Sequence, residues 1–212
     1  MTLAYLIILT ICFSVSTLAA TKDSRPLYLR WFFILMLVTL IVEMGNYFHL
    51  FPIIHKANHW TFNIETVFEF YFFSYFFYHI LKQPDSKKLI IIFVYAYPLV
   101  LLISFFTFQR YYFFHTYTYM LGELYLIILC LLYYRELYTA DEFKKLSALP
   151  EFWIVTGLFV FSVGELPYMM LLNYLNNHYV MTSMYFKEYI LGTLNIVMYA
   201  MFTIGLLWSI RT

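Results

Sequence analysis

A chain of 212 residues that is 63% hydrophobic and only 12% charged, with a mean hydropathy of +0.74, lies outside the range of soluble globular domains. Its net charge of +1 argues against nucleic acid as a partner. Walker, GxGxxG, CxxC and HExxH motifs are absent, which removes the commonest nucleotide, redox and zinc-protease chemistries. The composition implies an integral membrane protein with the lipid bilayer as its first partner.

Seven apolar stretches are long enough to cross a bilayer as helices. In chain order they are Leu3–Ala20, Trp31–Leu50, Phe62–Leu81, Leu89–Phe108, Tyr117–Tyr134, Phe152–Leu172 and Tyr189–Ile210. The first has no Lys or Arg before Lys22, so it reads as a membrane helix rather than a cleaved signal. The connections are too short to fold separately. The expected fold is therefore all-α: one seven-transmembrane-helix domain over residues 1–212. The connection from Arg135 to Glu151 reads as a short surface helix ending before Pro150.

Charge placement sets the expected orientation. Lys22, Arg25, Arg30, Lys82, Lys87, Lys88, Arg135, Lys144, Lys145 and Arg211 fall on one side, against Lys56, Arg110 and Lys187 on the other. The positive-inside rule then puts the N-terminus outside and the C-terminus in the cytoplasm.

Five of the seven helices carry one strongly polar residue at similar depth. Glu43, Glu69, Glu123, Glu165 and Asn195 each stand roughly six or seven residues from the outer end, about 10 Å below the boundary. Burying such groups in hydrocarbon costs about 2.5–3.5 kcal/mol apiece, so they are expected to face a bundle interior or a water-filled cavity. Asn46 shares a face with Glu43, and Glu65 shares one with Glu69. Carboxyl groups that close in a low dielectric repel, so they should share protons or a cation. The competing reading is interhelical glue, in which each polar contact adds on the order of 0.6 kcal/mol. In the sixth helix, Pro167 follows Glu165 and should free a backbone carbonyl.

Five of the six histidines, His49, His55, His59, His115 and His178, fall at outer ends or outer connections. His49, His55 and His59 could join the carboxyl layer in a divalent-metal site such as zinc, or sense protons. Cys12 and Cys130 lie inside helices and read as packing residues. The aromatic content of 24% reads partly as a compositional habit and partly as interface anchoring, with Trp31, Trp60, Trp153 and Trp208 at boundaries. The last helix has no Lys between Tyr189 and Ile210, which excludes a retinal Schiff base there.

At IETVFEFYFFSYFFYHIL (Ile64–Leu81) and PEFWIVTGLFVFSVGELPYM (Pro150–Met169) the chain resembles a group of uncharacterised seven-helix membrane proteins of Bacteroidota. It is also similar in layout to the seven-helix N-terminal sensory regions of bacterial histidine kinases. That resemblance implies a region that passes an outer or intramembrane stimulus to a cytoplasmic output. Here no output domain follows before Thr212, so signalling is expected to run through a separate cytoplasmic or membrane partner, or through an oligomer of the chain.

The leading expectation is thus a receptor- or sensor-like protein that binds a small ligand, cation or proton in an outward-facing acidic pocket. Glu43, Asn46, Glu65, Glu69, Glu123, Glu165 and Asn195 are its candidate residues. An intramembrane metal-dependent lipid hydrolase is an alternative, with Ser74 five residues after Glu69, although no helix carries an HxxxH pair. A proton-coupled transporter is another, since buried carboxyls suit proton relays. No inverted repeat supports that reading.

Overall fold

The computed structural model describes residues 3–23, 25–52, 58–107, 114–139, 146–178 and 186–211, with backbone alone at 107, 172–178 and 186–188. All regular structure among them is helical. The elements are α1 (Leu3–Ala20), α2 (Leu27–Arg30), α3 (Phe32–Tyr47), α4 (His59–Ile80), α5 (Pro84–Thr107), α6 (Thr116–Tyr138), α7 (Pro150–His178) and α8 (Gly192–Arg211). A 3₁₀ turn at Leu146–Ala148 precedes α7, and a π-turn at Phe186–Leu191 leads into α8. Six segments are long and apolar enough to cross a membrane: α1, α2 with α3, α5, α6, most of α7, and α8 with the turn before it. The protein is a multi-pass membrane protein on this ground.

Helix α4 is the departure from the seven expected spans. At 22 residues it is long enough, yet it falls below the apolarity of the other six. Asn63, Glu65, Glu69 and His79 are the reason, and these polar groups need partners on neighbouring helices if α4 crosses. Several boundaries also differ from expectation: α5 opens at Pro84 rather than Leu89, and α7 runs on to His178 rather than Leu172. α3 stops at Tyr47 rather than Leu50, and α6 continues to Tyr138, so Arg135–Tyr138 belong to it. Of the anticipated surface helix before Pro150, residues 146–148 form one 3₁₀ turn, and 140–145 lie outside the described residues.

The chain forms two compact units, Met1–Met36 with Ala140–Thr212, and Leu37–Thr139. In the first, α8 packs against both α1 and α7, and α2 adjoins α1. Small residues allow α7 and α8 to approach closely. A Cβ on Gly205 would stand 2.7 Å from the Pro150 carbonyl oxygen, and one on Gly157 would meet Met201 Cβ at 2.9 Å. Such small-residue contacts gain van der Waals packing that lipid tails cannot supply. Phe32 meets Phe202 edge-on at 5.2 Å, and the Cys12 thiol donates to Met36 Sδ at 3.4 Å. Both cysteines are buried thiols outside any disulfide, in keeping with packing roles.

In the second unit, α4, α5 and α6 pack against one another. Aromatic side chains fill the space between them rather than serving only as interface anchors. Phe93 stacks on Tyr125 and Tyr97, with centroids 3.6 and 4.9 Å apart, and Phe70 meets Tyr97 edge-on. The Phe70 ring lies directly on Gly122, where a Cβ would come within 2.1 Å of it. The Tyr125 and Ser74 hydroxyls lie 2.9 Å apart, and Ser74 also donates to the Phe70 carbonyl. At one end of α4 the Trp60 indole donates to the Pro52 carbonyl at 3.2 Å and meets Phe51 edge-on. At the other end, the Glu136 carboxylate of α6 accepts the backbone N–H groups of Lys82 and Gln83 at 2.7 and 3.1 Å. It thereby fixes the connection that starts α5, in the manner of a helix cap supplied from outside.

Pro98 interrupts the hydrogen-bond ladder of α5. A proline has no N–H, so the carbonyl four residues earlier, on Val94, loses its helical donor. The Tyr71 hydroxyl of α4 replaces it, donating to Val94 O at 3.1 Å. In hydrocarbon an unsatisfied carbonyl costs more than it would in water, so this bond both repairs α5 and ties it to α4. Tyr71→Phe should lower stability by about 1 kcal/mol. The loss should vanish in a Pro98→Ala background, where the restored backbone N–H at that position reclaims the carbonyl. Thermal unfolding of the two single variants and the double variant in detergent measures this coupling, and equal losses in both backgrounds would refute it.

Candidate functional site

On α4, Thr61, Glu65 and Glu69 follow one another at intervals of four and share one face. On α3, Thr39, Glu43 and Asn46 do the same at intervals of four and three. The two faces meet in an antiparallel seam. Near the ends of the helices, Asn46 Nδ2 donates to Thr61 Oγ1 at 3.0 Å and to the Val42 carbonyl of its own helix at 2.8 Å. Asn46 Oδ1 is buried with no hydrogen-bond partner among the described residues. One turn deeper, Glu65 faces Thr39 and stands near Glu43 and Glu69. A further turn along, Glu69 stands in the field of Glu123, which α6 contributes. Glu123 is 2% exposed. Glu43, Glu65 and Glu69 are half-buried.

Five of the seven sequence-predicted residues, Glu43, Asn46, Glu65, Glu69 and Glu123, therefore come together within the Leu37–Thr139 unit. The carboxyl groups form a series rather than one cluster: Glu43 and Glu69 both act on Glu65, and Glu123 acts on Glu69. Glu165 and Asn195 belong to the other unit. There Leu194 packs on Gly164, which puts their sequence neighbours Glu165 and Asn195 at one level of α7 and α8. Glu165 is 4% exposed, and the Asn195 amide donates to the Leu191 carbonyl at 2.9 Å. α7 runs through Pro167 without interruption. The sequence reading missed Thr39 and Thr61, the hydroxyls that join the two helices. Their spacing with Glu43 and Glu65 was the available signal.

The histidines separate into different roles. His49 does not continue α3. It lies beyond the helix end, exposed, with φ of 54°. The Leu50 N–H bonds the Gly45 carbonyl at 2.8 Å and the His49 N–H bonds the Asn46 carbonyl at 3.3 Å. This is a Schellman motif with His49 at the left-handed position that glycine normally takes. His59 opens α4, its ring 6.4 Å from Phe114. The His115 N–H donates to Asn63 Oδ1 at 3.0 Å. His55 and the His178 side chain lie outside the described residues. Among the described residues, no three His, Cys, Asp or Glu side chains gather as a metal site would require. Ser74, the serine of the hydrolase reading, is engaged with Tyr125 and the Phe70 carbonyl.

A small recess lined by Asn63, Thr66, Tyr97, His115 and Thr118 has a volume of about 10 Å³. That is room for one water, not for an organic ligand. No protein-family model matches the chain, and neither characterised proteins nor solved structures give a match.

A left-handed backbone costs a β-carbon residue about 1 kcal/mol or more. His49→Gly should therefore raise the unfolding temperature, and added zinc should shift wild type and variant alike. A zinc-dependent stabilisation confined to the wild type would instead make His49 a ligand.

Proposed function

We propose that this multi-pass membrane protein is a sensor whose responsive element is the carboxyl series Glu43–Glu65–Glu69–Glu123. The observation that carries the reading is that carboxyl groups from α3, α4 and α6 come near one another on faces joined by the Asn46–Thr61 hydrogen bond. Full ionisation of linked carboxyl groups in a low dielectric is unfavourable, so a proton or small cation is the occupant that the series fits best. The neutral donors around it, Asn46, Thr39 and Thr61, suit either occupant. Following the charge distribution, the N-terminus and the Asn46–Thr61 end face outside, in a bacterial inner membrane. Occupancy changes the repulsion between α3 and α4, and a separate partner reads the resulting shift. A stimulus of this kind acts only through a difference in its affinity for two helix arrangements.

Infrared difference spectra of the full chain in nanodiscs, taken between two pH values and with or without added cation, test the site. Carboxyl bands should appear in the wild type and shrink in Glu65→Gln and Glu69→Gln, with both variants keeping the parental unfolding temperature. Variants that unfold while the remaining folded fraction gives unchanged bands would assign the residues to interhelical glue.

A second reading, proton-coupled transport, is favoured by the serial order of the carboxyls, which suits stepwise transfer. Proton flux into liposomes that depends on Glu69 would select it over sensing.

A further inference from the structure

The Leu37–Thr139 unit carries a second charged feature at the end opposite the Asn46–Thr61 contact. Lys82 and Lys88 are exposed in the α4–α5 connection and the first turns of α5, and Arg135 is exposed near the end of α6. Lys87 stands with its ammonium 5.0 Å above the Tyr78 ring. These four cations face two carboxyl groups. Asp85 pairs with Lys88 at 3.3 Å, but both side chains remain largely in solvent, 87% and 72% exposed. Glu136 is turned toward the backbone of Lys82 and Gln83 and the Ser86 hydroxyl, so it serves as a cap and fixes the platform. Arg135 reaches Gln83 by a side-chain hydrogen bond, which also anchors it to the connection. The result is a short, backbone-constrained connection that carries a net excess of cations at the end of helices with apolar flanks. The exposed aromatic side chains Tyr78 and Tyr138 flank it, as expected at a headgroup boundary.

We infer that Lys82, Lys87, Lys88 and Arg135 form a binding platform for the phosphate of an anionic phospholipid. The acyl chains of such a lipid would run along the apolar surface of α5, where Ile91, Ile92 and Tyr95 are exposed. The phosphodiester supplies the negative charge, and the tethered chains hold it at headgroup depth. A basic cluster beside a membrane helix gains affinity for anionic lipid with each Lys or Arg near the surface. The inference is independent of what occupies the carboxyl series.

Native mass spectrometry of the full chain, extracted from vesicles of mixed phosphatidylglycerol and phosphatidylcholine, tests the platform. The wild type should retain phosphatidylglycerol in excess of its share of the vesicle. Lys82→Gln with Lys88→Gln should cut that preference by on the order of tenfold, with up to about fivefold for each cation removed. Lys22→Gln, a charge change in the other unit, should leave it intact. Circular dichroism of each variant confirms that the fold is kept. No phosphatidylglycerol preference in the wild type, or an equal loss in the Lys22 variant, would overturn the platform. Displacement of the lipid by inorganic phosphate at low millimolar concentration would overturn the lipid assignment in favour of a free-anion site.

Discussion

A carboxyl group on a membrane-crossing helix has to be turned toward other polar groups, because hydrocarbon solvates neither its charge nor its hydrogen bonds. Where α4 crosses, this constraint fixes the rotation of the helix about its own axis. Thr61, Glu65 and Glu69 form one stripe, and the stripe has to meet Thr39, Glu43, Asn46 and Glu123. Once the stripe is so placed, Phe70 and Ser74, one position round the helix from it, are committed to α6 and are buried. The Phe70 ring then needs a residue with no side chain beneath it, and Gly122 supplies the space. The aromatic stack of Phe93, Tyr97 and Tyr125 is built outward from that contact.

The same scarcity of water governs the backbone. Pro98 would leave the Val94 carbonyl without a donor, and Tyr71 closes the gap from a neighbouring helix. Glu136 performs a parallel task at the α4–α5 connection, where backbone N–H groups would otherwise lack partners. Both repairs cross from one helix to another, so satisfying the backbone and packing the helices are a single problem in this unit.

The long apolar runs made the helices readable from the amino-acid order, since hydrophobic length is a strong signal. The weaker signals failed where one residue type took the place of another. α3 ends three residues early because a histidine, not a glycine, adopts the left-handed cap, and nothing in the composition marks that turn. α6 runs on through Arg135 and Glu136 because Glu136 is needed as a cap for a distant connection. The sequence instead suggested a separate short surface helix from Arg135 onward. The face shared by Glu65 and Glu69 followed from their spacing. Their linkage to Glu43 and Glu123 depends on which helices become neighbours, and spacing within one helix does not contain that information. Likewise Pro98 shows in the sequence as a gap in α5, while its donor, 27 positions earlier on α4, becomes visible only in three dimensions.

Trp60 is the single tryptophan between Leu37 and Thr139, and it sits at the start of α4, about one turn before Glu65. Its indole is held by the Pro52 carbonyl and the Phe51 ring. The unit therefore carries its own optical probe at the mouth of the polar seam. With Trp31, Trp153 and Trp208 exchanged for phenylalanine, emission colour and quenching would report the polarity and water access of that end directly. The chain could be followed in a bilayer without any attached label.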